Sequence, residues 1–252
     1  MHHNVMIPTP GGMMTVYHYI ALGFFVAFAL ADYVGSTRNF PDVRFWRAMG
    51  IVSTILYFAI ATYAPYFWDE WLGAHRIVDI STMPIVTQCL IGFFLLEFGI
   101  YAWHRTMHSF DPLWRVTHQM HHSAERVDIW GAYYFHPVDM MGWALLGSLC
   151  LVWIIGLSAD AALIVAIVTT IPGMFQHINI RTPHWLGYVV QRPESHAIHH
   201  QRGVHAYNYG DIPLFDIIFG TFKNPPDWKG EAGFHDGSTK QIAPMLFFRK
   251  IS

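Results

Sequence analysis

Histidine is the residue of this chain whose number and spacing indicate chemistry. The sequence has 17 histidines, and thirteen of them lie between His104 and His235. Eight form one H-x3-H motif and two H-x-x-H-H motifs: His104 and His108; His118, His121 and His122; His196, His199 and His200. Residues at i, i+3 and i+4 share one side of a helix, so each motif can direct its rings at a common point. Imidazole binds Zn, Fe, Cu and Ni, and one tetrahedral zinc ion uses only three or four protein ligands. The spacing therefore predicts a site for more than one metal ion.

We expect each H-x-x-H-H motif to offer three imidazoles, and His104 with His108 to complete both coordination spheres. Other catalytic motifs are absent from the sequence, namely H-E-x-x-H, Glu-x-x-His, a Gly-rich nucleotide loop and Gly-x-Ser-x-Gly. The two cysteines, Cys89 and Cys150, lie in apolar runs and exclude a disulfide framework or a cysteine-based metal site. The net charge of -2 gives no electrostatic footprint for nucleic acid, which we exclude as a partner.

The elements that must position these histidines are apolar. Hydrophobic residues make up 53% of the 252 residues and charged residues 13%, whereas soluble domains average about 25% charged residues. Runs at 16–33, 49–67 and 83–103 approach the ~20 residues that cross a bilayer. A fourth block, 141–175, is broken around Gly156 and is long enough for two helices joined by a tight turn.

The composition predicts an all-α integral membrane protein with about three to five membrane helices, arranged as two hairpins, and a cytosolic His-rich helical cap. We divide it into N-terminal membrane helices, 1–103, and a catalytic region, 104–252, with a membrane or re-entrant hairpin at about 141–175. The alternative is a soluble all-α protein with a large core. Three membrane-length runs before residue 104 argue against it.

The distribution of basic residues predicts the orientation. Eleven of the 15 Lys and Arg residues follow Trp103, and none precedes residue 16. By the positive-inside rule, the N-terminus lies outside and the histidine motifs lie in the cytoplasm. Residues 1–14 also lack the basic region of a signal peptide.

Further short motifs accompany the histidines. They are His-Arg at 104–105, Pro-Leu-Trp-Arg at 112–115, Phe-His-Pro at 135–137, His-Ile-Asn at 177–179, Asn-Tyr-Gly at 208–210 and Phe-Gly-Thr at 219–221. In this combination the chain resembles the fatty acid hydroxylase/sterol desaturase superfamily over about residues 97–222, roughly half its length. It departs from the family pattern at Asp139, where Glu is frequent, and at Gln176, where some members have a second histidine.

The resemblance implies a membrane-bound oxidoreductase, an O2-dependent non-haem di-iron monooxygenase. Such an enzyme hydroxylates or desaturates an unactivated C–H bond of a lipid such as a fatty acyl chain or a sterol. Two iron ions are the implied cofactors, and overexpression can load zinc because Zn2+ lies above Fe2+ in the Irving–Williams order. The chain shows no haem-binding domain or cysteine cluster, so we expect a separate electron donor that is cytochrome b5-, ferredoxin- or reductase-like.

Several residues outside the three motifs are candidates for supporting roles. His177 directly follows an apolar run, as His104 does, and His136 precedes Pro137; both are included as candidate ligands, with helix capping as the alternative for His136. Glu97 lies two helical turns before His104 and either orients a ligand or sits at the membrane interface. Four acids are unranked candidates for orienting ligands: Asp128, Asp139, Asp211 and Asp216. Three other histidines are interpreted as surface or substrate-mouth residues: His184, His205 and His235.

Two functions of other classes remain as alternatives. A membrane metal carrier or sensor would place its polar ligands at the midplane of the membrane, whereas the motifs here follow the apolar runs. A zinc-dependent membrane hydrolase would need an open metal position and a general base such as Glu, which no motif contains. No retention signal is evident at the C-terminal residues, which favours a bacterial inner membrane over the endoplasmic reticulum.

Overall fold

The computed structural model describes residues 16–252. Within this range the regular secondary structure is helical, apart from an isolated antiparallel bridge between Gln201 and Ala232. The prediction of an all-α protein is confirmed. The segment 1–14, predicted to lack a signal peptide and to lie outside, falls outside the described residues.

Long apolar helices make up the first half of the described chain. They are α1 (Val16–Gly35), α2 (Trp46–Tyr63) and, after the short α3 (Asp69–Ala74), α4 (Ile85–Ser109). A 3-10 turn, Ala64–Phe67, prolongs α2. Many of their apolar side chains are exposed, Val34 by 83% and Phe67 by 87%, as suits helices surrounded by lipid.

The polar part of the chain begins where α4 ends. The short helices α5 (Asp111–Val116) and α6 (Gln119–His122) follow α4 almost without interruption. α4 itself runs through the predicted boundary at residue 103, so the division into two regions stays a prediction.

The second apolar block folds as a helical hairpin. α7 (Pro137–Ser148) continues as a π-helical turn, Leu149–Ile154, and α8 (Ala159–Phe175) leads back in the opposite direction, packed against α4 and α1. The turn contains Gly156 at φ +49°, where a Cβ would lie 2.8 Å from the carbonyl oxygen of Val78. Glycine is therefore required there by both conformation and space.

The hairpin returns to the histidine-bearing end of the bundle. Its turn lies at the opposite end, where the backbone of Ile77 donates to Trp153 and that of Val78 to Ile154. At the histidine-bearing end, the α1–α2 loop is held by a hydrogen bond from the Thr37 N–H to the Asn179 carbonyl.

Within residues 16–252, four helical segments are long and apolar enough to span a membrane: His18–Gly35, Trp46–Phe67, Ile85–Ser109 and Pro137–Ile154. α8 is a shorter apolar helix. This agrees with the prediction of about three to five membrane helices, and the chain is a multi-pass membrane protein. Three more short helices complete the cap: α9 (Pro193–His199), α10 (Leu214–Ile218) and α11 (Ile242–Leu246).

Candidate metal centre

Nine histidine side chains converge near the end of α4 in two groups. Within each group, the ring nitrogens that could hold a metal lie within 4.8 Å of one another. The five-histidine group consists of His104, His108, His118, His122 and His199. The four-histidine group consists of His121, His177, His196 and His200. All of these residues are buried except His108, which is half-buried.

Each H-x-x-H-H motif is divided between the two groups by helix geometry, so the prediction that its three rings face a common point is wrong. Side chains at i and i+4 are about 40° apart around a helix axis, whereas those at i+3 and i+4 are about 100° apart. His118 and His122 therefore enter the five-histidine group, while His121 turns to the other group. In the last motif the arrangement is reversed, and the i, i+4 pair of His196 and His200 enters the four-histidine group.

The first motif contributes to one group alone. His104 and His108 are one turn apart on α4 and both belong to the five-histidine group. The expectation that they complete both coordination spheres is therefore wrong, because side chains at i and i+4 point the same way. His177, directly after the C-cap of α8, completes the four-histidine group instead.

Hydrogen bonds fix the ring orientation in the five-histidine group. Three rings donate Nδ1–H to backbone carbonyls of a single loop: His104 to Tyr209 at 2.8 Å, His108 to His205 at 2.9 Å and His199 to Tyr207 at 2.7 Å. His118 pairs through Nδ1 with the Asp139 carboxylate at 2.8 Å. A ring that donates from Nδ1 keeps its Nε2 lone pair free for a metal.

The four-histidine group has fewer such bonds. His177 donates Nδ1–H to the carbonyl of Gly173 at 2.8 Å. The His121 ring interacts with the backbone of Tyr134, whereas the buried Nδ1 atoms of His196 and His200 have no hydrogen-bond partner among the described residues. The Nε2 atom of His177 lies 3.2 Å from that of His121 and 3.1 Å from that of His196.

The donor atoms fit a metal in both groups. The buried Nε2 atoms of His108, His122 and His199 have no hydrogen-bond partner among the described residues. The Nε2 atoms of His196 and His200 are 3.1 Å apart, and two imidazoles on one tetrahedral zinc ion lie about 3.4 Å apart. Ring nitrogens gathered at this spacing are a donor set for metal ions.

Burial also favours the ligand form of the rings. It lowers the pKa of His177 to about 4. It lowers the pKa well below the usual value in six further rings: His118, His121, His122, His196, His199 and His200. These rings are therefore neutral near pH 7, which is the form that binds metal.

A cavity of about 110 Å³ adjoins both groups. Histidines of both groups contribute to its wall, together with an aromatic set: Tyr57, Tyr133, Phe135 and Trp143. Its polar part includes Gln176, which donates to the Asp211 carboxylate at 2.7 Å. Burial raises the pKa of Asp211 to about 7, and the hydrogen bond from Gln176 opposes that shift. The cavity combines an apolar wall with a few polar groups, as ligand pockets do.

A second cavity, of about 450 Å³, lies between α4 and α8 and is lined by apolar side chains and Cys89. One face of each of these two helices lines both cavities. On α4 the lining residues Cys89, Phe93, Ile100 and His104 are spaced four, seven and four apart, which keeps them on one face. On α8, Val165 lines the apolar cavity and Thr169 the histidine cavity.

The structure does not bring His136, the tenth predicted ligand, into either group. Its Nδ1 accepts a hydrogen bond from the backbone N–H of Val138 and so caps α7, and its ring lies against Phe248. His136 thus occupies the helix-capping position that was the alternative to a role as a metal ligand. The other nine predicted ligands all belong to one of the two groups.

One histidine that was interpreted as a surface or substrate-mouth residue lies beside the metal centre. His205 is half-buried, and its Nδ1 is 3.0 Å from the Nδ1 of His122. Its carbonyl, which orients His108, has no side-chain signature that a sequence could reveal. His184 and His235 are exposed, as expected.

The candidate acids have separate roles. Glu97 is fully buried and accepts from the backbone N–H of Ile212 at 3.3 Å, so it holds a loop rather than a ligand ring. Asp139 orients His118, and Asp211 lines the cavity. Asp128 accepts from the indole N–H of Trp46, away from the rings. Asp216 accepts from the backbone of Tyr209.

The sequence model of one protein family, described as fatty acid hydroxylase, matches residues 89–221, which include both histidine groups. The chain belongs to the fatty acid hydroxylase family. The predicted resemblance is confirmed, and with it the prediction of an oxidoreductase family. No solved structure matches the chain significantly.

The curated relatives of this chain, by their names, act on several kinds of lipid. The chain is 31% identical over 171 residues to the ornithine lipid hydroxylase OlsE of Rhizobium tropici, and the match covers 66% of this chain and 47% of the relative. It is 27% identical to the sphinganine C4-monooxygenase 1 of Arabidopsis thaliana, covering 67% of each. It is 27% identical to the Delta(7)-sterol-C5(6)-desaturase of Nicotiana tabacum, covering 60% of this chain and 55% of the relative. The chain thus spans about half of the first relative's length.

Proposed function

We propose that this protein is a non-haem di-iron oxygenase that uses O2 to hydroxylate, or to desaturate, an unactivated C–H bond of a lipid. One observation carries the proposal: two convergent groups of neutral imidazoles share a single cavity at the end of a membrane-helix bundle. The relatives bear names of lipid hydroxylases, monooxygenases and desaturases, which supports the reaction class.

Iron is proposed because the reaction is an oxidation. Imidazole ligands alone do not select iron over zinc, but zinc has no redox chemistry. Two iron ions held by the nine histidines would let O2 react with the two electrons that a separate donor protein delivers, which would provide the oxidising power that C–H cleavage requires.

The protein's own contribution is to hold the rings and keep the site dry. The hydrogen bonds at Nδ1 of His104, His108 and His199 leave each Nε2 pointing inward. Phe135 and Trp143 line the cavity and lie beside the ring of His118. Excluding water from such a site protects the bound lipid and the oxidant from side reactions.

The apolar cavity between α4 and α8 is the proposed place for the hydrophobic part of the substrate. Its wall includes lipid-exposed residues such as Val86 and Val168, so a chain could enter from the side of the bundle. Its apolar lining between two helices suits the hydrocarbon part of a lipid. The reacting carbon would then lie in the histidine cavity, farther along the same helix faces.

We further propose that the histidine-bearing end faces the cytoplasm of a bacterial cell and receives electrons there from a separate donor protein. The excess of Lys and Arg after Trp103 supports this orientation. A reporter fused after Ser252 should be active on the cytoplasmic side. A periplasmic signal would contradict the orientation without affecting the proposed chemistry.

The proposed reaction is tested by lipidomics of expressing cells. Cells that produce the wild-type protein should accumulate lipids shifted by one oxygen atom or by the loss of two hydrogen atoms. Cells that produce His121→Ala, matched for the amount of membrane-inserted protein, should not. Equal lipid profiles with both proteins, in cells supplied with iron and O2, would contradict the proposed function.

A further inference from the structure

The loop 205–211, here called the carbonyl loop, supplies three of the acceptors that orient the five-histidine group. The carbonyls come from alternate residues, at positions 205, 207 and 209. The loop also has unusual backbone angles: φ is +41° at His205, +71° at Tyr207 and +50° at Asn208. Left-handed angles at residues other than glycine are unfavourable and persist only where the surroundings enforce them.

Asp216 on α10 is one of the groups that enforce this conformation. Its carboxylate is fully buried and accepts from the backbone N–H of Tyr209 at 2.9 Å and of Gly210 at 2.8 Å. It also accepts from the Thr221 hydroxyl at 2.6 Å. The Asp216 carboxylate therefore fixes the backbone next to the Tyr209 carbonyl that orients His104.

Asn208 holds the loop from its other side. Its buried amide donates to the carbonyls of Ser195 and Lys223, at 2.7 and 2.9 Å, and its oxygen accepts from the Lys223 N–H. Gly210 leaves the space that this arrangement needs, since a Cβ there would lie 2.7 Å from the carbonyl oxygen of Ile212. Asn208 and Gly210 of the Asn-Tyr-Gly motif thus stabilise the conformation of the carbonyl loop.

We propose that the carbonyl loop preorganises the five-histidine group and makes it the tighter of the two metal sites, with Asp216 as a positioning residue for its ion. The four-histidine group lacks such a loop in the described part of the chain: His177 Nδ1 donates to the Gly173 carbonyl, the His121 ring interacts with the backbone of Tyr134, and the Nδ1 atoms of His196 and His200 have no hydrogen-bond partner. Partners that fix the tautomer and orientation of a ligand raise its affinity for the metal. The inference rests on the proposed two-metal centre.

The test is a stepwise removal of Co2+ from the purified full-length protein by a competing chelator, followed by metal analysis and by the visible spectrum of bound Co2+. Wild-type protein should lose two ions in two steps. His177→Ala should change the weaker step, and His108→Ala the tighter one. Asp216→Asn places an N–H donor opposite a backbone N–H and should weaken the tighter step by about 10- to 100-fold, leaving the other step unchanged.

Glu125→Gln is the matched control. Glu125 is also a buried carboxylate that accepts from two backbone N–H groups and a threonine hydroxyl, but it holds Gly237 and Thr239 rather than the carbonyl loop. It should change neither step. If Asp216→Asn and Glu125→Gln weakened both steps alike, or if the tighter step were the one altered by His177→Ala, the inference would be overturned.

A milder variant covers the case in which Asp216→Asn does not fold. Thr221→Val removes one of the three hydrogen bonds to the Asp216 carboxylate and should weaken the same step to a smaller extent. If folded Thr221→Val protein kept the wild-type affinity in the tighter metal-release step, this would contradict the proposal that the carbonyl loop preorganises the five-histidine group. A wild-type content of one ion would instead overturn the two-metal proposal itself.

Discussion

The two histidine groups are built largely from the same motifs but are held by different means. In the five-histidine group, four rings use Nδ1 to bind a backbone carbonyl or a carboxylate. In the four-histidine group, His177 does so, and the ring of His121 interacts with the backbone of Tyr134. The rings of His196 and His200 have no such partner among the described residues and pack against neighbouring rings, as where His200 stacks on His122 at 4.3 Å between ring centroids.

This difference separates two tasks that a histidine motif performs. The spacing of the motif decides which group each ring enters, because it fixes the angle around the helix. The tautomer and the rigidity of the ring are decided elsewhere, by oxygen atoms that reach Nδ1 from another part of the chain. A site can therefore have a complete set of ligands and still differ in affinity from its neighbour.

The largest effects should follow removal of one ligand from either group. His199→Ala and His121→Ala should each lower the metal content by about one ion per chain and reduce activity to the detection limit, since the proposed reaction requires both ions. Metal analysis and lipid product analysis of the same preparations check this. Full turnover in either variant would contradict a shared dinuclear site.

A smaller effect is expected when only the support of a ligand is removed. Asp139→Ala deprives His118 of its acceptor and should weaken metal binding in the five-histidine group by about 10- to 100-fold. Asp139→Asn keeps an oxygen that can accept from Nδ1–H and should retain most of the affinity. Equal losses in the two variants would mean that the negative charge, rather than the hydrogen bond, matters.

The membrane helices and the nine converging histidines were predictable from local sequence. Hydrophobic runs of membrane length and imidazoles at i, i+3 and i+4 are properties of neighbouring residues. The start of α7 at Pro137, four residues before the predicted start of the apolar block, follows from the preference of proline for the first turn of a helix.

The support of the metal centre was not predictable in the same way. The carbonyls of His205 and Tyr207 act through the backbone, and any residue has a carbonyl. Asn179 and Asn208 were recognised only as parts of motifs. In the structure Asn179 binds the backbone of Arg38, and Asn208 binds that of Lys223. Such contacts join segments that are distant in sequence, so they cannot be predicted from the spacing of residues.

A modest effect is expected from the ring of His205. His205→Asn keeps a residue type that tolerates a left-handed backbone and keeps the carbonyl that orients His108. It removes the ring nitrogen next to Nδ1 of His122, so the tighter metal step should weaken by less than with Asp139→Ala. The chelator titration measures this, and a complete loss of the ion would show His205 to be a ligand.

The smallest effect on metal binding is expected at His136, the predicted ligand that lies outside both groups. His136→Ala removes the side chain that accepts from the Val138 N–H at the start of α7, and loss of such a cap costs about 1 kcal/mol of stability. The variant should keep both ions while its thermal midpoint in detergent falls slightly. His235→Ala, at an exposed ring, is the control and should change neither quantity. Loss of an ion in His136→Ala alone would place this residue back among the ligands and would remove the basis for counting nine.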